Sequence, residues 1–264
     1  MELLKQLRQI TGAGMVDCQK ALKETNNNLE EAVDLLRKKG IAKASKRTDR
    51  EANEGVIKVA TNEEGTEGYI VEMNSETDFV SRNETFQEFA ETVLKVIKET
   101  KPQNLEELLA AKMTIGSVQE DLDNLSGTIG EKMSIKRFDI ITGSTVTAYS
   151  HLGGKIGVLV ALDTPGQAEL AKEIAMQVAA AQPKYLDSSE VDAGELAREM
   201  AIHREQLAKE GKPEEMITKI LAGKEARYYS EVCLVDQEYI KEDKQKVKDI
   251  LGEVKVLKFV NYTF

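Results

Sequence analysis

A strand–turn–strand–helix pattern occurs twice along the chain, and it limits the possible folds more than any other feature. In the first copy, apolar residues alternate from Gly55, a turn falls at 62–65, a second strand-like run covers 68–73 and a helical stripe covers 84–97. In the second copy, the strand-like runs are 145–149 and 155–162, and the helical stripe is 167–181. Period-two patterns predict strands and 3.6-residue periods predict helices. The sequence therefore predicts an α+β fold with a duplicated core.

The remaining segments predict helices around this core. Residues 1–36 carry stripes typical of three short helices, and residues 187–229 read as a helical hairpin with Leu196, Met200, His203 and Leu207 on one seam. Such a seam needs a second surface, and a hairpin docked on its own domain would show the same residues. Residues 232–236 and 254–262 read as returning strands. The predicted domains are 1–53 (helices and linker), 54–142 (first core subdomain), 143–186 with 230–264 (second core subdomain) and 187–229 (inserted hairpin).

Composition and motifs exclude several classes of protein. The chain has 264 residues and a net charge of -10, which argues against a protein that coats nucleic acid. It has neither an apolar run of about 18 residues nor a signal-like start. Cys18 and Cys233, far apart, fit a reducing cytoplasm. The only histidines, His151 and His203, belong to no catalytic or metal-binding motif. We therefore expect no membrane span, no catalytic residue, no metal and no cofactor.

A polar corner at residues 74–83 joins the second strand of the first copy to its helix. It places one aromatic residue, Phe79, beside one short acid, Asp78. Ser81 and Glu84 have the spacing of a capping box, so the helix is predicted to begin near Ser81. Phe79 could be an exposed anchor for a partner, as interface hot spots are. Equally, the ring could pack under its own helix and Asp78 could serve the turn.

Two segments carry a resemblance to a known family. Residues 72–83 (EMNSETDFVSRN) and 7–22 (LRQITGAGMVDCQKAL) are similar to motifs of the elongation factor Ts family, and the similarity runs collinearly along nearly the whole chain. The resemblance implies that the N-terminal helices form a ubiquitin-associated-like module, that 187–229 is a dimerisation element, and that the partner is the GDP-bound GTPase elongation factor Tu.

The resemblance also implies roles for particular residues. Thr77, Asp78, Phe79 and Val80 would disturb the Mg²⁺ site of the GTPase and release GDP. Ile129 with Gly130, and His151, would form secondary contacts. From the residues alone, Gly130 could equally be a helix C-cap and His151 an ordinary loop histidine.

Three functions remain open at this point. The first is guanine nucleotide exchange on elongation factor Tu during translation elongation, and the second is a protein-interaction or chaperone-like module without exchange activity. The third is RNA binding through the basic segment from Arg37 to Arg50, which includes Lys43 and Lys46. A solvated, partly helical linker is the simpler interpretation of that segment, because no aromatic residues are interleaved for base stacking.

Overall fold

The computed structural model describes residues 2–45, 47, 49–114 and 116–264. The N-terminal helices are α1 (Glu2–Thr11), α2 (Met15–Glu24) and α3 (Leu29–Ser45). The first half of the core contains β1 (Glu54–Thr61), β2 (Glu67–Ser75), α4 (Asp78–Ser81), α5 (Glu84–Thr100), α6 (Leu105–Ala110), α7 (Val118–Ile129) and β3 (Met133–Thr142). The second half contains β4 (Thr145–His151), β5 (Ile156–Leu162), α8 (Ala168–Ala181), α9 (Ala193–Lys209), α10 (Glu214–Val232), α11 (Val247–Leu251) and β6 (Val256–Thr263).

Within the described residues, the strands form two antiparallel sheets of three strands each, in the orders β1-β2-β3 and β4-β5-β6. A long helix follows the second strand of each sheet, α5 in the first and α8 in the second. Mixed helices and antiparallel sheets arranged in this way confirm the predicted α+β class, including the recurrence of the strand–turn–strand–helix plan.

The two sheets pack face to face. Ile57 and Ile70 of the first sheet share a buried cluster with Leu159 and Val260 of the second. The outer face of the first sheet is covered by α5 and α7, whose Phe86, Val93 and Leu122 lie against Tyr69 and Met73. The outer face of the second sheet is covered by α8 and α11 in the same manner. Alternation along each strand therefore serves two cores, one between the sheets and one under the helices.

The third N-terminal helix extends further than the sequence indicates. The stripe that predicts it ends near residue 36, but α3 continues to Ser45. Gly40 does not end the helix, because it lies where α3 crosses α7: a Cβ at Gly127 would be only 2.5 Å from the Gly40 Cα. The two glycines allow close approach of the helices, so much of the predicted linker is docked helix.

One predicted strand is wrong. Residues 232–236 are the last residue of α10, Cys233 and a short 3₁₀ turn, Leu234–Asp236. Cys233 and Leu234 are both fully buried. A short apolar run is ambiguous between a strand and the buried end of a helix, and here tertiary burial explains the run. None of the described helices is long and apolar enough to cross a membrane.

The inserted hairpin projects from the second half of the core. Along α9 and α10, Leu207 and Ile217 are buried, whereas Leu196 and Met200 of the predicted seam are only half-buried. The base of the hairpin is fixed by Glu195, whose carboxylate accepts hydrogen bonds from the Tyr185 and Tyr228 hydroxyls at 2.7 and 2.9 Å. The hairpin is thus firmly attached at its base and lightly packed along its length.

Candidate functional site

The polar corner after β2 contains a separate helical turn that the sequence does not predict. Asp78 to Ser81 form α4, and the long helix α5 begins only at Glu84. Ser81 is not the cap of α5, since its hydroxyl donates to the Asp78 carbonyl oxygen at 2.9 Å. The cap is Asn83, whose side chain accepts from the Thr85 backbone N–H at 3.0 Å. The predicted capping box at Ser81 and Glu84 is therefore wrong.

The side chains of α4 divide into an outward and an inward set. Phe79 is 83% exposed, more than any other large apolar residue in the described part of the chain. Val80 is buried in the core beside Val56 and Phe86. The ring is therefore presented to solvent while the next residue holds the turn down, and Phe79 does not pack under its own helix. We call Thr77, Asp78, Phe79 and Val80 the wedge.

Asp78 lies next to Phe79 on the exposed side of the wedge. Its carboxylate is 3.1 Å from the Arg82 guanidinium one turn later, and both side chains are well exposed. Exposed ion pairs of this kind contribute only about 0–1 kcal/mol. Arg82 can therefore be displaced from Asp78 by a competing cationic group or a metal ion at little cost.

The connection between α7 and β3 is hydrogen-bonded to the start of the wedge. One carboxylate oxygen of Glu131 accepts from the Thr77 backbone N–H at 3.0 Å, and the other accepts from the Thr77 hydroxyl at 2.7 Å. In return, the Glu76 carboxylate accepts from the Lys132 backbone N–H. That hydrogen bond, together with the nearby Arg50 guanidinium, holds the pKa of the Glu76 carboxyl below its usual value.

The first pair of predicted secondary residues lies beside this connection. Gly130 is the C-cap of α7, with a left-handed φ of 94° and an N–H that donates to the Ser126 carbonyl oxygen. Ile129 is half-buried against the core. Since Glu131 follows Gly130 directly, the structure brings Ile129 and Gly130 next to the wedge. The C-cap role of Gly130 is real, and it does not prevent the neighbouring surface from meeting a partner.

His151 is at the end of β4, in the turn that leads to β5. Its ring stacks on Tyr149 with centroids 5.9 Å apart, and Nδ1 lies 3.0 Å from the Tyr149 hydroxyl oxygen. Leu152, the next residue, is 68% exposed. The turn lies beside β1, because the Gly154 carbonyl oxygen accepts from the Ile57 N–H at 2.7 Å. The start of β1 pairs with the end of β2, from which the wedge departs.

Sequence reasoning misses Glu76, Glu131 and Arg50 as members of this site. Glu131 is far from Thr77 along the chain, and an isolated acid after a helix C-cap carries no local signal. The only available hint was its position directly after Gly130, which the resemblance had already marked. A contact of this range depends on the tertiary fold.

The basic segment from Arg37 to Arg50 is largely engaged within the molecule. Arg37 pairs with Glu120 at 2.7 Å, and Lys39 pairs with Glu24 at 2.8 Å. The Arg47 guanidinium donates to the Ser126 carbonyl oxygen at 3.1 Å, and Arg50 pairs with Glu76 at 3.1 Å. Lys46 and the side chain of Lys43 lie outside the described residues. The contacts of Arg37, Arg47 and Arg50 attach this segment to the first half of the core, and the contact of Lys39 lies within the N-terminal module.

Two family models match the sequence. The model of the family described as "Elongation factor TS" matches residues 76–264, which is more than half of the chain. A second model, described as "UBA-like domain", matches residues 1–42. The second match confirms that α1, α2 and α3 are the ubiquitin-associated-like module that the resemblance implies. The wedge and both predicted secondary contacts fall within the first match.

Proposed function

Because the chain belongs to the elongation factor Ts family, we propose that it is the guanine nucleotide exchange factor of elongation factor Tu. In this role it binds the GDP-bound GTPase and promotes release of GDP and its exchange for GTP during translation elongation. The observation that carries the proposal is the exposed Phe79 ring next to Asp78 on a corner braced by Glu131. A large aromatic held outward by a buried neighbour is the expected geometry of an interface anchor.

The wedge acts by redirecting binding energy into the nucleotide site of the partner. Phe79 inserts into an apolar pocket, and the Asp78 carboxylate disturbs the groups that hold the nucleotide's Mg²⁺. Asp78 is available for this because its exposed pair with Arg82 is weak. By linkage, the protein lowers the affinity of elongation factor Tu for GDP by the same ratio by which GDP lowers the affinity of elongation factor Tu for the protein.

The free energy needed to release the nucleotide requires further contact surfaces besides Phe79. Burying one Phe contributes about 1.5–3 kcal/mol, whereas nanomolar nucleotide binding corresponds to about 12 kcal/mol. The additional surfaces are the Ile129–Gly130 end of α7 and the His151–Leu152 turn. The N-terminal module is a third, since Ile10, Met15 and Val16 are more than half exposed there.

The chain supplies binding energy and no covalent chemistry, so it is not an enzyme in its own right and needs no metal or cofactor. It acts in the cytoplasm, where translation takes place. Residues 187–229 form a homodimer contact, which is supported by the half-exposed Ile202 and Met216 on the hairpin.

The decisive experiment is to time GDP release. Elongation factor Tu loaded with a fluorescent GDP is mixed with excess unlabelled GDP, with and without the protein, in a stopped-flow instrument. A concentration-dependent acceleration of the signal loss that saturates supports nucleotide exchange. Formation of a stable complex without acceleration would identify the protein as an interaction or chaperone-like module instead.

A further inference from the structure

We infer that Glu131 is a positioning residue for the wedge: its carboxylate sets the orientation of α4, and so of Phe79, and joins the wedge to the neighbouring end of α7. The inference rests on the proposed function. It assigns to Glu131 a share in GDP release that does not depend on a contact with the partner.

The need for such a residue follows from the lack of an ordinary cap on α4. Thr77 occupies the N-cap position with extended backbone angles, but its side chain caps no N–H of the helix. A threonine hydroxyl at this position normally accepts a hydrogen bond from the second or third N–H of the helix. Here it donates to Glu131 instead. A single helical turn is not stable alone, so an uncapped turn depends on its tertiary contacts.

Several contacts hold α4 in place, including hydrogen bonds from the Ser75 and Gln87 side chains to the Thr77 and Ser81 carbonyl oxygens. Two others act on its depth and on its start. Val80 is buried from within the turn and fixes its depth. Glu131 accepts from both the backbone N–H and the hydroxyl of Thr77 and fixes the start of the turn. Two hydrogen bonds to one carboxylate restrict rotation as well as distance, and bonds to a charged acceptor are stronger than neutral ones. Removing one of them would let the Phe79 ring sample other directions.

Glu131 is itself held by α7. Its backbone carbonyl oxygen accepts from the Ser126 hydroxyl at 2.6 Å. The exchange of hydrogen bonds is also reciprocal, because Glu76 accepts from the N–H of Lys132 while Glu131 accepts from the N–H of Thr77. The wedge and the Ile129–Gly130 surface therefore form one rigid unit. A partner that grips the end of α7 places Phe79 at the same time.

The test separates binding from release. Glu131→Gln keeps the size of the side chain but removes its charge and one of its two accepting oxygens, so weaker neutral hydrogen bonds replace the charge-assisted ones to Thr77. The contact surface is unchanged, so the concentration of factor that gives half-maximal release should stay within about twofold. The GDP release rate at saturation should fall by about tenfold, because a mobile ring reaches its pocket in only a fraction of complexes.

Matched variants accompany this measurement. Thr77→Val removes the hydroxyl that donates to Glu131 while keeping the shape of the side chain, and should also lower the saturating rate. Thr77→Ser keeps the hydroxyl, so elongation factor Tu should release GDP faster with this variant than with Thr77→Val. Glu63→Gln removes an exposed carboxylate in the turn between β1 and β2 and controls for the change of net charge. Hydrogen exchange at the Thr77 amide should accelerate in Glu131→Gln and not in Glu63→Gln.

The outcomes distinguish this inference from the proposed function. If the wild-type protein fails to accelerate GDP release, the proposed function is wrong. If the wild type accelerates release and both Glu131→Gln and Thr77→Val match Glu63→Gln at saturation, the positioning role alone is wrong. A higher protein concentration at half-maximal release, with an unchanged rate at saturation, would make Glu131 a contact residue and also overturn the inference. If Glu131→Gln proves unfolded by circular dichroism, the Thr77→Val and Thr77→Ser pair decides the question.

Discussion

Glu72 and Arg137 form an ion pair across β2 and β3, with Arg137 Nε 2.7 Å from Glu72 Oε2, although the Glu72 side chain is completely buried. A bulge in β3 opposite Glu72 allows Lys136 to reach the same carboxylate at 2.9 Å. Arg137 also lies over the ring of Tyr262 in the second sheet, 3.9 Å from its centroid. The pair thus lies where the two sheets meet, and it links them through one guanidinium.

This arrangement predicts that the two cations opposite Glu72 are not equivalent. Arg137→Met removes the ion pair and the contact with Tyr262, and should lower the free energy of unfolding by about 2–4 kcal/mol. Lys136→Met removes one ion pair of a more exposed side chain and should cost about 1 kcal/mol. Denaturant titration of both variants checks the order. Equal losses would show that the contact between the sheets adds nothing.

Phe79→Ala should slow GDP release from elongation factor Tu and leave the fold intact. The ring is 83% exposed, so its loss removes no core packing. The anchor contributes about 1.5–3 kcal/mol, which corresponds to a release rate lower by about one to two powers of ten. Leu257→Ala, at a half-exposed apolar residue of β6, is the matched control. Stopped-flow release rates equal to those of the control would reject the anchor.

Gly127→Ala should loosen the docking of the N-terminal module. A methyl group there would lie 2.5 Å from the Gly40 Cα, so α3 and α7 must separate, at a cost of about 1–3 kcal/mol. Gly223→Ala in α10 meets nothing within 4 Å and should stabilise the helix by about 0.5–1 kcal/mol. Chemical denaturation of the two variants should therefore shift in opposite directions, and a stabilising Gly127→Ala would contradict the close crossing.

The hydrogen bond from the Lys132 N–H to the Glu76 carboxylate should make part of the free energy of unfolding depend on pH. A carboxyl whose pKa is lowered on folding adds stability that is fully present above its ordinary value of 4.5. That stability is lost as the pH falls through the folded-state pKa. The difference in unfolding free energy between wild type and Glu76→Gln should be largest near about pH 6 and shrink toward about pH 3. A difference that grows on acidification would have the wrong sign.

Sedimentation velocity tests the proposed homodimer. The wild-type chain should sediment as a dimer at high concentration, because Ile202 and Met216 expose about half of their surfaces on the hairpin. Ile202→Glu with Met216→Glu should sediment as a monomer, since association would bury two introduced charges on each chain. Phe79→Ala, away from the hairpin, should still dimerise. A wild-type chain that remains monomeric at every concentration would remove the dimer from the proposal.

Local sequence patterns predicted the structure correctly where neighbouring residues alone determine it. Ser117 and Glu120 have the spacing of a capping box and form one at the start of α7, and Gly130 ends α7 with a left-handed φ. The same spacing at Ser81 and Glu84 is misleading, because the extra turn α4 precedes the helix and Asn83 is better placed to cap it. The same Ser-to-Glu spacing therefore forms a capping box in α7 and none in α5. The buried Val80 holds an extra turn, α4, before α5, and the spacing does not encode that burial.

The site was predictable only in part for a related reason. The resemblance identifies Asp78 and Phe79, and the exposure of Phe79 agrees with an anchor role. The contact of Thr77 with Glu131 could not be found, because it joins segments that are 54 residues apart. The engagement of Arg47 and Arg50 by the core was equally invisible, since a run of basic residues looks the same whether it is solvated or paired.

The chain leaves the second half of the core at Tyr185 and returns at Cys233, and these two points are neighbours. The N–H groups of Lys184 and Tyr185 donate to the Val232 carbonyl oxygen, and the N–H of Leu234 donates to the Tyr185 carbonyl oxygen. The inserted hairpin is therefore closed off at its base by backbone hydrogen bonds. Its length can change without disturbing the sheets. Its tip, at Gly211, is a natural place to graft a tag or a fluorophore that reports on docking from a distance.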